Sequence, residues 1–119
     1  TANPYGLHLT FSDNEELSCV ESQVLFPAHV QGWEGVVHGG IISTVLDEIM
    51  IKAAAKKKMK CVTGEITVKF KQPVRTDMPY LLQGKVAGTR GKLVFTEGAL
   101  LDRDGEISAS AGGKLFLIE

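Results

Sequence analysis

The feature that most constrains the fold is one long amphipathic stretch in the middle of the chain. From about residue 39 to residue 58, apolar side chains recur at helical spacing, in adjacent pairs four residues apart. The positions are Ile41, Ile42, Val45, Leu46, Ile49, Met50, Ala53 and Ala54. This pattern predicts a single helix, which at the usual rise per residue is roughly 30 Å long.

Directly after this stretch the hydrophobic period changes from helical to alternating. Apolar and polar residues alternate between residues 65 and 71, and Pro73 ends the pattern, so we predict a strand there. Residues 28–38 show no periodicity and are expected to form a loop. Similar signals predict turns at residues 12–14 and 102–105, and further strands at residues 7–11, 17–26, 80–89, 92–102 and 106–118.

One long helix beside five or six strands indicates an α+β fold, and 119 residues suit one domain spanning residues 1–119. The strands after the helix are joined by short turns, so that part of the sheet should be antiparallel. A single helix cannot cover both faces and both edges of such a sheet. We therefore expect the chain to form a homodimer.

Composition narrows the function classes. A net charge of −1 gives no concentrated excess of Lys and Arg for a nucleic-acid partner. No apolar run approaches the roughly 20 residues of a membrane span. Cys19 and Cys61 form no CxxC pair, and no signal peptide is visible, so we expect reduced thiols and a cytoplasmic location. The three histidines show no metal-ligand spacing, and we expect no metal.

His38, Gly39 and Gly40 lie where the predicted loop becomes the helix. The first N–H groups of a helix have no intrahelical partner and carry partial positive charge. Two glycines would let a ligand approach these groups closely, which suits an oxyanion hole for a carbonyl oxygen that gains negative charge. The alternative interpretation is that the glycines only permit a tight turn into the helix.

Asp47 lies two turns into the helix and off its apolar face. A carboxylate in this position could act as a general base or as a nucleophile. The adjacent Glu48 is rotated about 100° around the helix axis, so the two carboxylates cannot easily serve one reacting atom. The alternative is that the Asp-Glu pair is an ordinary solvated patch.

The combination of His38-Gly39-Gly40, six further residues and Asp47 resembles the hotdog-fold acyl-CoA thioesterases of the phenylacetic-acid-degradation type. The preceding loop at residues 31–37, the strand at residues 63–70 with Pro73 behind it, and the turn at residues 104–107 are similar to that family as well. The resemblance implies a curved antiparallel sheet of five to six strands wrapped around one long central helix. It also implies two subunits that join their sheets.

The resemblance further implies roles for four residues. Asp47 would activate water or attack the thioester directly, and the N–H of Gly39 would donate to the thioester carbonyl. Thr63 would help to position the water, and His38 would line the site. The family often has Asn six residues before the histidine, where this chain has Gly32, and the neighbouring Gln31 is a candidate to supply the missing amide.

The resemblance also implies coenzyme A as part of the substrate rather than a cofactor. The sequence Arg90-Gly91-Lys92 resembles the family position that often contacts the nucleotide, and a basic turn suits phosphates. An ordinary solvated turn is the alternative. Trp33 is expected either to border the acyl tunnel or to anchor its loop.

The spacing of Gly39 and Asp47 gives an independent reason for a dimer. Eight residues along one helix correspond to about 12 Å of axial rise. A general base must lie within about 3 Å of its proton, directly or through one water. If both residues act on one thioester, the partner subunit must supply the Asp47, which gives two shared sites per dimer. Further pairing into a homotetramer stays open.

Two other functions remain as alternatives. One is a hydroxyacyl-thioester dehydratase on the same fold, which would use a loop histidine, His29 or His38, and a helix carboxylate. The other is a non-catalytic acyl-CoA binding module, in which the fold is kept without turnover. The presence of Asp47 argues against the binding module. The identity of the acyl group is not indicated by the sequence.

Overall fold

The order of helices and strands follows the alternation of hydrophobic periods along the chain. The computed structural model describes residue 7 and residues 9–118. A short 3₁₀ helix spans Ala28–Val30, and one α-helix, α1, spans Gly39–Lys56. The strands are β1 (Ser12–Asn14), β2 (Cys19–Leu25), β3 (Gln31–Trp33), β4 (Val36–Val37), β5 (Cys61–Phe70), β6 (Pro79–Arg90), β7 (Leu93–Leu101) and β8 (Ile107–Leu117).

Six strands form one antiparallel sheet in the order β1-β2-β6-β7-β8-β5, and β3 pairs with β4 in a separate hairpin. The sheet curves around α1, which packs against strands β5 to β8 and β2. The predicted α+β class is confirmed. So is the arrangement implied by the resemblance, one long helix within a curved antiparallel sheet.

Helix α1 begins and ends close to the predicted limits. His38 is its N-cap, with extended backbone angles, and Lys57 is its C-cap. All eight apolar residues that predicted the helix are buried. The apolar face therefore fixes the helix as the centre of the core, as expected for an amphipathic helix on a sheet.

Two glycines of the sheet allow α1 to approach it very closely. A Cβ atom on Gly84 would lie 2.7 Å from the main-chain oxygen of Ile49. A Cβ atom on Gly113 would lie 2.7 Å from Oγ1 of Thr96 and 3.2 Å from Cε of Met50. The helix thus rests on main-chain atoms of the sheet at these points, where any larger residue would push it away.

Strand β5 is longer than predicted and forms one edge of the sheet. It begins at Cys61, four residues before the predicted start at residue 65. The pairing with β8 shifts by one residue between Thr63 and Glu65, so Gly64 is the extra residue of a β-bulge. The bulge interrupts the polar–apolar alternation, which is why the sequence pattern did not extend the strand back to Cys61.

The prediction for residues 7–14 was wrong. Residues 9–11 have no regular structure, while the predicted turn at Ser12–Asn14 is strand β1. His8, which belongs to the same predicted strand, lies outside the described residues. The side chain of Asn14 donates to Glu21 on β2 at 3.2 Å, so tertiary pairing overrides the turn preference of this segment.

The loop predicted at residues 28–38 is more ordered than expected. It contains the 3₁₀ helix and the β3–β4 hairpin. The hairpin turn places Gly35 at φ 74°, and the N–H of Gly35 donates to Oε1 of Gln31 at 2.9 Å. Strands of two and three residues are too short to show a hydrophobic period, and the sequence therefore gave no strand signal here.

The predicted turn at residues 102–105 is confirmed. Gly105 has φ 80°, and Oδ1 of Asp102 accepts hydrogen bonds from the N–H groups of Asp104 and Glu106, both at 2.9 Å. Asp102 therefore acts as the side-chain acceptor that closes the turn between β7 and β8.

Candidate active site

The first element of the site is the N-terminus of α1. Nδ1 of His38 accepts a hydrogen bond of 2.9 Å from the N–H of Gly40, and the main-chain oxygen of His38 accepts from Ile41 at 3.0 Å. The N–H of His38 donates to Val30 at 3.0 Å, which ties the helix start to the preceding loop. Within the described part of the chain, the N–H of Gly39 donates no hydrogen bond. It is an unused donor at the positive end of the helix dipole.

The contact between His38 and Gly40 also defines a tautomer. An imidazole nitrogen that accepts a hydrogen bond carries no proton, so the neutral His38 ring holds its proton on Nε2. This assignment follows from the hydrogen-bond network. His38 therefore combines two functions, capping the helix through Nδ1 and presenting an N–H donor through Nε2.

Phe70, the last residue of β5, packs beside Gly39. A Cβ atom on Gly39 would lie 3.4 Å from Cζ of Phe70, although 54% of Phe70 is exposed. The two residues line a shallow cavity of about 370 Å³ together with Val36, Val37, Ile42, Lys71, Gln72, Pro73 and Val74. Sequence analysis did not identify Phe70 as a site residue. The sequence feature that could have indicated it is an aromatic residue on the helix-facing side of the strand, shortly before Pro73.

The second element of the site joins Asp47 to Thr63. Oγ1 of Thr63, on β5, donates a hydrogen bond of 2.6 Å to Oδ1 of Asp47, in the middle of α1. Both residues are half-buried. A short bond to a charged acceptor is among the stronger hydrogen bonds in proteins, so the carboxylate is held in a defined orientation.

Within one chain, these two elements are separated along the same edge of the molecule. Thr63 and Asp47 meet near the start of β5, whereas Phe70 and Gly39 meet at its end. Gly39 and Asp47 are eight positions apart, which corresponds to about 12 Å of helix. Strand β5 is an edge of the six-stranded sheet, and no described strand pairs with its outer side.

The other predicted substrate contacts lie in the turn between β6 and β7 and in the β3–β4 hairpin. Arg90, Gly91 and Lys92 form the exposed turn between β6 and β7, with Gly91 at φ 60°. The register places this turn at the Thr63 end of the sheet, because Leu93 pairs with Phe116 and Phe116 with Val62.

The β3–β4 hairpin carries the remaining predicted residues. Trp33 is 82% exposed, and the amide oxygen of Gln31 is bound to the N–H of Gly35. A Cβ atom on Gly32 would lie 3.3 Å from Cα of His38. Gly32 therefore lets the hairpin pack directly against the residue that caps the helix.

Both cysteines are free thiols: Cys19 begins β2, and Cys61 begins β5, two residues before Thr63. Burial raises the pKa of the Cys19 thiol, and the charge of Glu21 adds to this effect. Burial also raises the pKa of Cys61. A raised pKa reduces the thiolate fraction, which makes both residues poor nucleophiles near neutral pH.

A cavity of about 660 Å³ lies over the outer face of the sheet and is lined by residues such as Thr67, Lys69, Glu97 and Ser110. It includes none of the site residues described above. Among the described residues, no cluster of His, Cys, Asp and Glu could hold a metal ion, and no helix is long and apolar enough to cross a membrane.

Comparison with known proteins supports the resemblance found in the sequence. The family model of the thioesterase superfamily matches residues 34–109. A Saccharolobus solfataricus protein with the provisional name of esterase is 31% identical over 71% of this chain and 61% of its own length. An acyl-coenzyme A thioesterase of Xenopus laevis is 26% identical over 75% of this chain and 40% of its own length. The chain thus spans roughly half the length of these curated relatives.

A solved structure extends the likeness in fold. A Streptococcus mutans protein bound to acetyl-CoA superimposes with a TM-score of 0.85, covering 98% of this chain and 92% of that protein. The identity is 14%, so this likeness shows the fold alone. The match of the family model includes the helix with Gly39 and Asp47, and the strand with Thr63.

Proposed function

The chain belongs to the thioesterase superfamily, and we propose that it hydrolyses acyl-CoA thioesters to a free acid and CoA. Support comes from the Xenopus laevis relative, which is an acyl-coenzyme A thioesterase, and from the acetyl-CoA bound to the Streptococcus mutans protein of the same fold. No cofactor is required, because CoA enters as part of the substrate.

The observation that carries the proposal is the distribution of site residues along β5. Thr63 and Asp47 lie near one end of this edge strand, and Gly39 and Phe70 lie at the other. If two copies of β5 pair antiparallel, opposite ends become neighbours. The Asp47 of one chain then comes close to the Gly39 of the other, which a single chain cannot achieve. We therefore infer a homodimer with two shared sites.

The proposed chemistry uses groups already positioned by the fold. The thioester carbonyl accepts a hydrogen bond from the N–H of Gly39, which stabilises the negative charge that develops on oxygen. Asp47 takes a proton from water, whose oxygen then forms a bond to the carbonyl carbon. The carbon–sulfur bond breaks, and the leaving thiolate takes up the proton that Asp47 removed from water, which restores the carboxylate. Attack by Asp47 itself, through an anhydride that water later cleaves, uses the same placement.

The remaining residues are proposed to hold the two ends of the substrate. Arg90 and Lys92 meet the phosphates of CoA, since both are exposed cations at the Thr63 end of the sheet. The apolar cavity beside Phe70 receives the start of the acyl group. Trp33 borders the entrance from the hairpin. Because the oxygen of Gln31 is bound to Gly35, its NH₂ group is the part that would contact a water or the thioester.

The experiment is thiol release from a panel of acyl-CoAs by the native chain and by the Asp47→Asn variant, which keeps the shape of the side chain. We expect hydrolysis of at least one acyl class by the native chain and a loss of about 100-fold or more in kcat for the variant. Protein-only blanks correct for the reaction of Cys19 and Cys61 with the thiol reagent.

Three results would contradict the proposal. Equal rates for the two proteins would make Asp47 an ordinary helix residue. Hydration of an enoyl-CoA without thiol release would indicate a dehydratase. Tight binding of acyl-CoA without turnover would indicate a binding module.

A further inference from the structure

The one-residue bulge in β5 determines which face of the sheet Thr63 occupies. In a regular strand, residues two apart lie on the same face, so Thr63 and Glu65 would point the same way. Here they point to opposite faces. Thr63 pairs with buried Leu115 and bonds to Asp47 on the helix side, whereas Glu65 pairs with Lys114 and forms an ion pair of 3.7 Å with it on the outer side.

Gly64 is the residue that makes this change of face possible. It is inserted between the pairs Thr63–Leu115 and Glu65–Lys114, with no counterpart on β8. If the strand straightened without losing a residue, Gly64 would pair with Leu115 and Thr63 with Phe116. The hydroxyl of Thr63 would then face away from the helix, because a one-residue slip moves side chains to the opposite face.

The ring of Phe116 covers the bulge from the outer face. A Cβ atom on Gly64 would overlap Cε2 of Phe116 and lie 2.6 Å from its Cδ2, so the ring occupies the place of the missing side chain. Phe116 is 48% exposed and is not part of the buried core. An aromatic residue packed over a strand glycine is a known means of fixing local register.

We propose that Phe116 is a positioning residue for thioester hydrolysis. Its ring holds the bulge at Gly64, and the bulge directs Thr63 towards Asp47. Phe116 acts through Thr63 and does not touch the substrate. This inference rests on the proposed function, because the role of the Thr63–Asp47 pair in hydrolysis belongs to that proposal.

The test compares Phe116→Ala with Ile118→Ala, which removes a side chain of similar exposure (51%) near the end of the same strand and beyond the bulge. Phe116→Tyr serves as the conservative variant that keeps the ring. Each is measured alone and together with Thr63→Val, for kcat, KM and urea unfolding. A misplacement of a catalytic group by about 1 Å can cost about 100-fold in rate.

We expect Phe116→Ala to lower kcat by between about tenfold and 100-fold, with little change in KM. Phe116→Tyr and Ile118→Ala should keep the native kcat. In the Thr63→Val background, Phe116→Ala should cause no further loss, because the residue through which it acts is already disabled. The proposal is overturned if Phe116→Ala keeps the native kcat, or if its effect multiplies with that of Thr63→Val.

A crystal structure of the Phe116→Ala variant separates this inference from the proposed function. If the native chain hydrolyses no thioester, the proposed function fails, but the distance from Oγ1 of Thr63 to Oδ1 of Asp47 still tests the role of the ring. We expect this distance to increase from 2.6 Å to beyond hydrogen-bonding range. An intact bulge with an unchanged distance would refute the role of Phe116. If, in addition, the oligomeric state of the variant differed from that of the native chain, the ring would be assigned to a subunit contact instead.

Discussion

The hydroxyl of Thr63 lies 2.6 Å from the carboxylate of Asp47, although the two residues are sixteen positions apart in the chain. The bond joins the sheet edge to the middle of the central helix. Because Thr63 donates to one oxygen of Asp47, the other oxygen is left to accept the proton of an attacking water. The relationship therefore gives Thr63 a defined role in the proposed reaction.

Replacing Thr63 by Val should lower kcat by between about tenfold and 100-fold, since the variant keeps the branched shape but lacks the donor to a charged acceptor. Thr63→Ser keeps the hydroxyl and should retain most of the activity. Steady-state kinetics on the best acyl-CoA gives both values. If Thr63→Val and Thr63→Ser have the same kcat, the hydrogen bond has no part in turnover.

Replacing Gly39 by Pro should remove the oxyanion donor without breaking the helix. Proline has no N–H but is well tolerated as the first residue of a helix, and His38 before it has the extended angles (φ −61°, ψ 133°) that suit a residue preceding proline. We expect kcat to fall by about 100-fold to 1,000-fold. Gly39→Ala keeps the N–H, and its Cβ would only make an ordinary contact with Phe70, so it should remain active.

Mixing Asp47→Asn chains with Gly39→Pro chains should restore activity that neither variant has alone. In a hybrid dimer, one site combines the intact Gly39 of one chain with the intact Asp47 of the other. Random exchange should give about a quarter of the native activity, because half of the dimers are hybrids and each has one intact site. Co-refolded, differently tagged chains allow the hybrid to be purified. An inactive pure hybrid would show that each site lies within one chain.

Replacing Gly84 by Ala should destabilise the fold, whereas Gly112→Ala should not. A Cβ atom on Gly84 would lie 2.7 Å from the main-chain oxygen of Ile49, and α1 would have to move. The expected cost is about 1–3 kcal/mol in the free energy of unfolding. A Cβ atom on Gly112 meets nothing within 4 Å, so that variant should be neutral or slightly more stable. Urea denaturation compares the two, and equal stabilities would argue against close packing of the helix.

Stability should decrease in the alkaline range because of the buried thiol of Cys19 and the half-buried thiol of Cys61. Burial raises the pKa of Cys19 and Cys61 in the folded state, so folding favours their neutral forms. This contribution is complete below the unfolded pKa of about 8.5 and is lost as the pH rises through the higher folded values. The free energy of unfolding, measured by urea denaturation from neutral to alkaline pH, should fall more steeply for the native chain than for a Cys19→Ala, Cys61→Ala variant. If the free energy of unfolding fell equally steeply with pH for both proteins, the two thiols would not be the cause of the alkaline loss of stability.

The sequence predicted the parts of the fold that have a clear hydrophobic period. Helix α1 was predicted within two residues at its C-terminal end, and the long strands after it within a few residues, because one face of each is buried. The errors occurred where local patterns were weak. The bulge at Gly64 hid the start of β5, and β3 and β4 are too short to show alternation.

The site was predictable only in part. Gly39 and Asp47 stand at informative positions on one helix, so residue type and spacing made them candidates, whereas the role proposed for His38 came from the family resemblance. The role of Thr63 came from the family resemblance, because a contact across sixteen residues leaves no periodic signal. Phe70 packs beside Gly39, and Phe116 packs over Gly64. Both contacts depend on how the strands and the helix come together, so they cannot be inferred from either residue alone.

The open edge of β5 has a consequence for regulation. On the proposed arrangement, neither chain contains a complete site, so the amount of working enzyme depends on the monomer–dimer equilibrium and varies with the square of the monomer concentration when dimers are rare. Dilution below the dissociation constant would then silence chains that are fully folded, and a rise in expression would increase turnover more than proportionally. Because the edge strand must pair before a site is complete, activity would remain low until the protein concentration approaches the dissociation constant of the dimer.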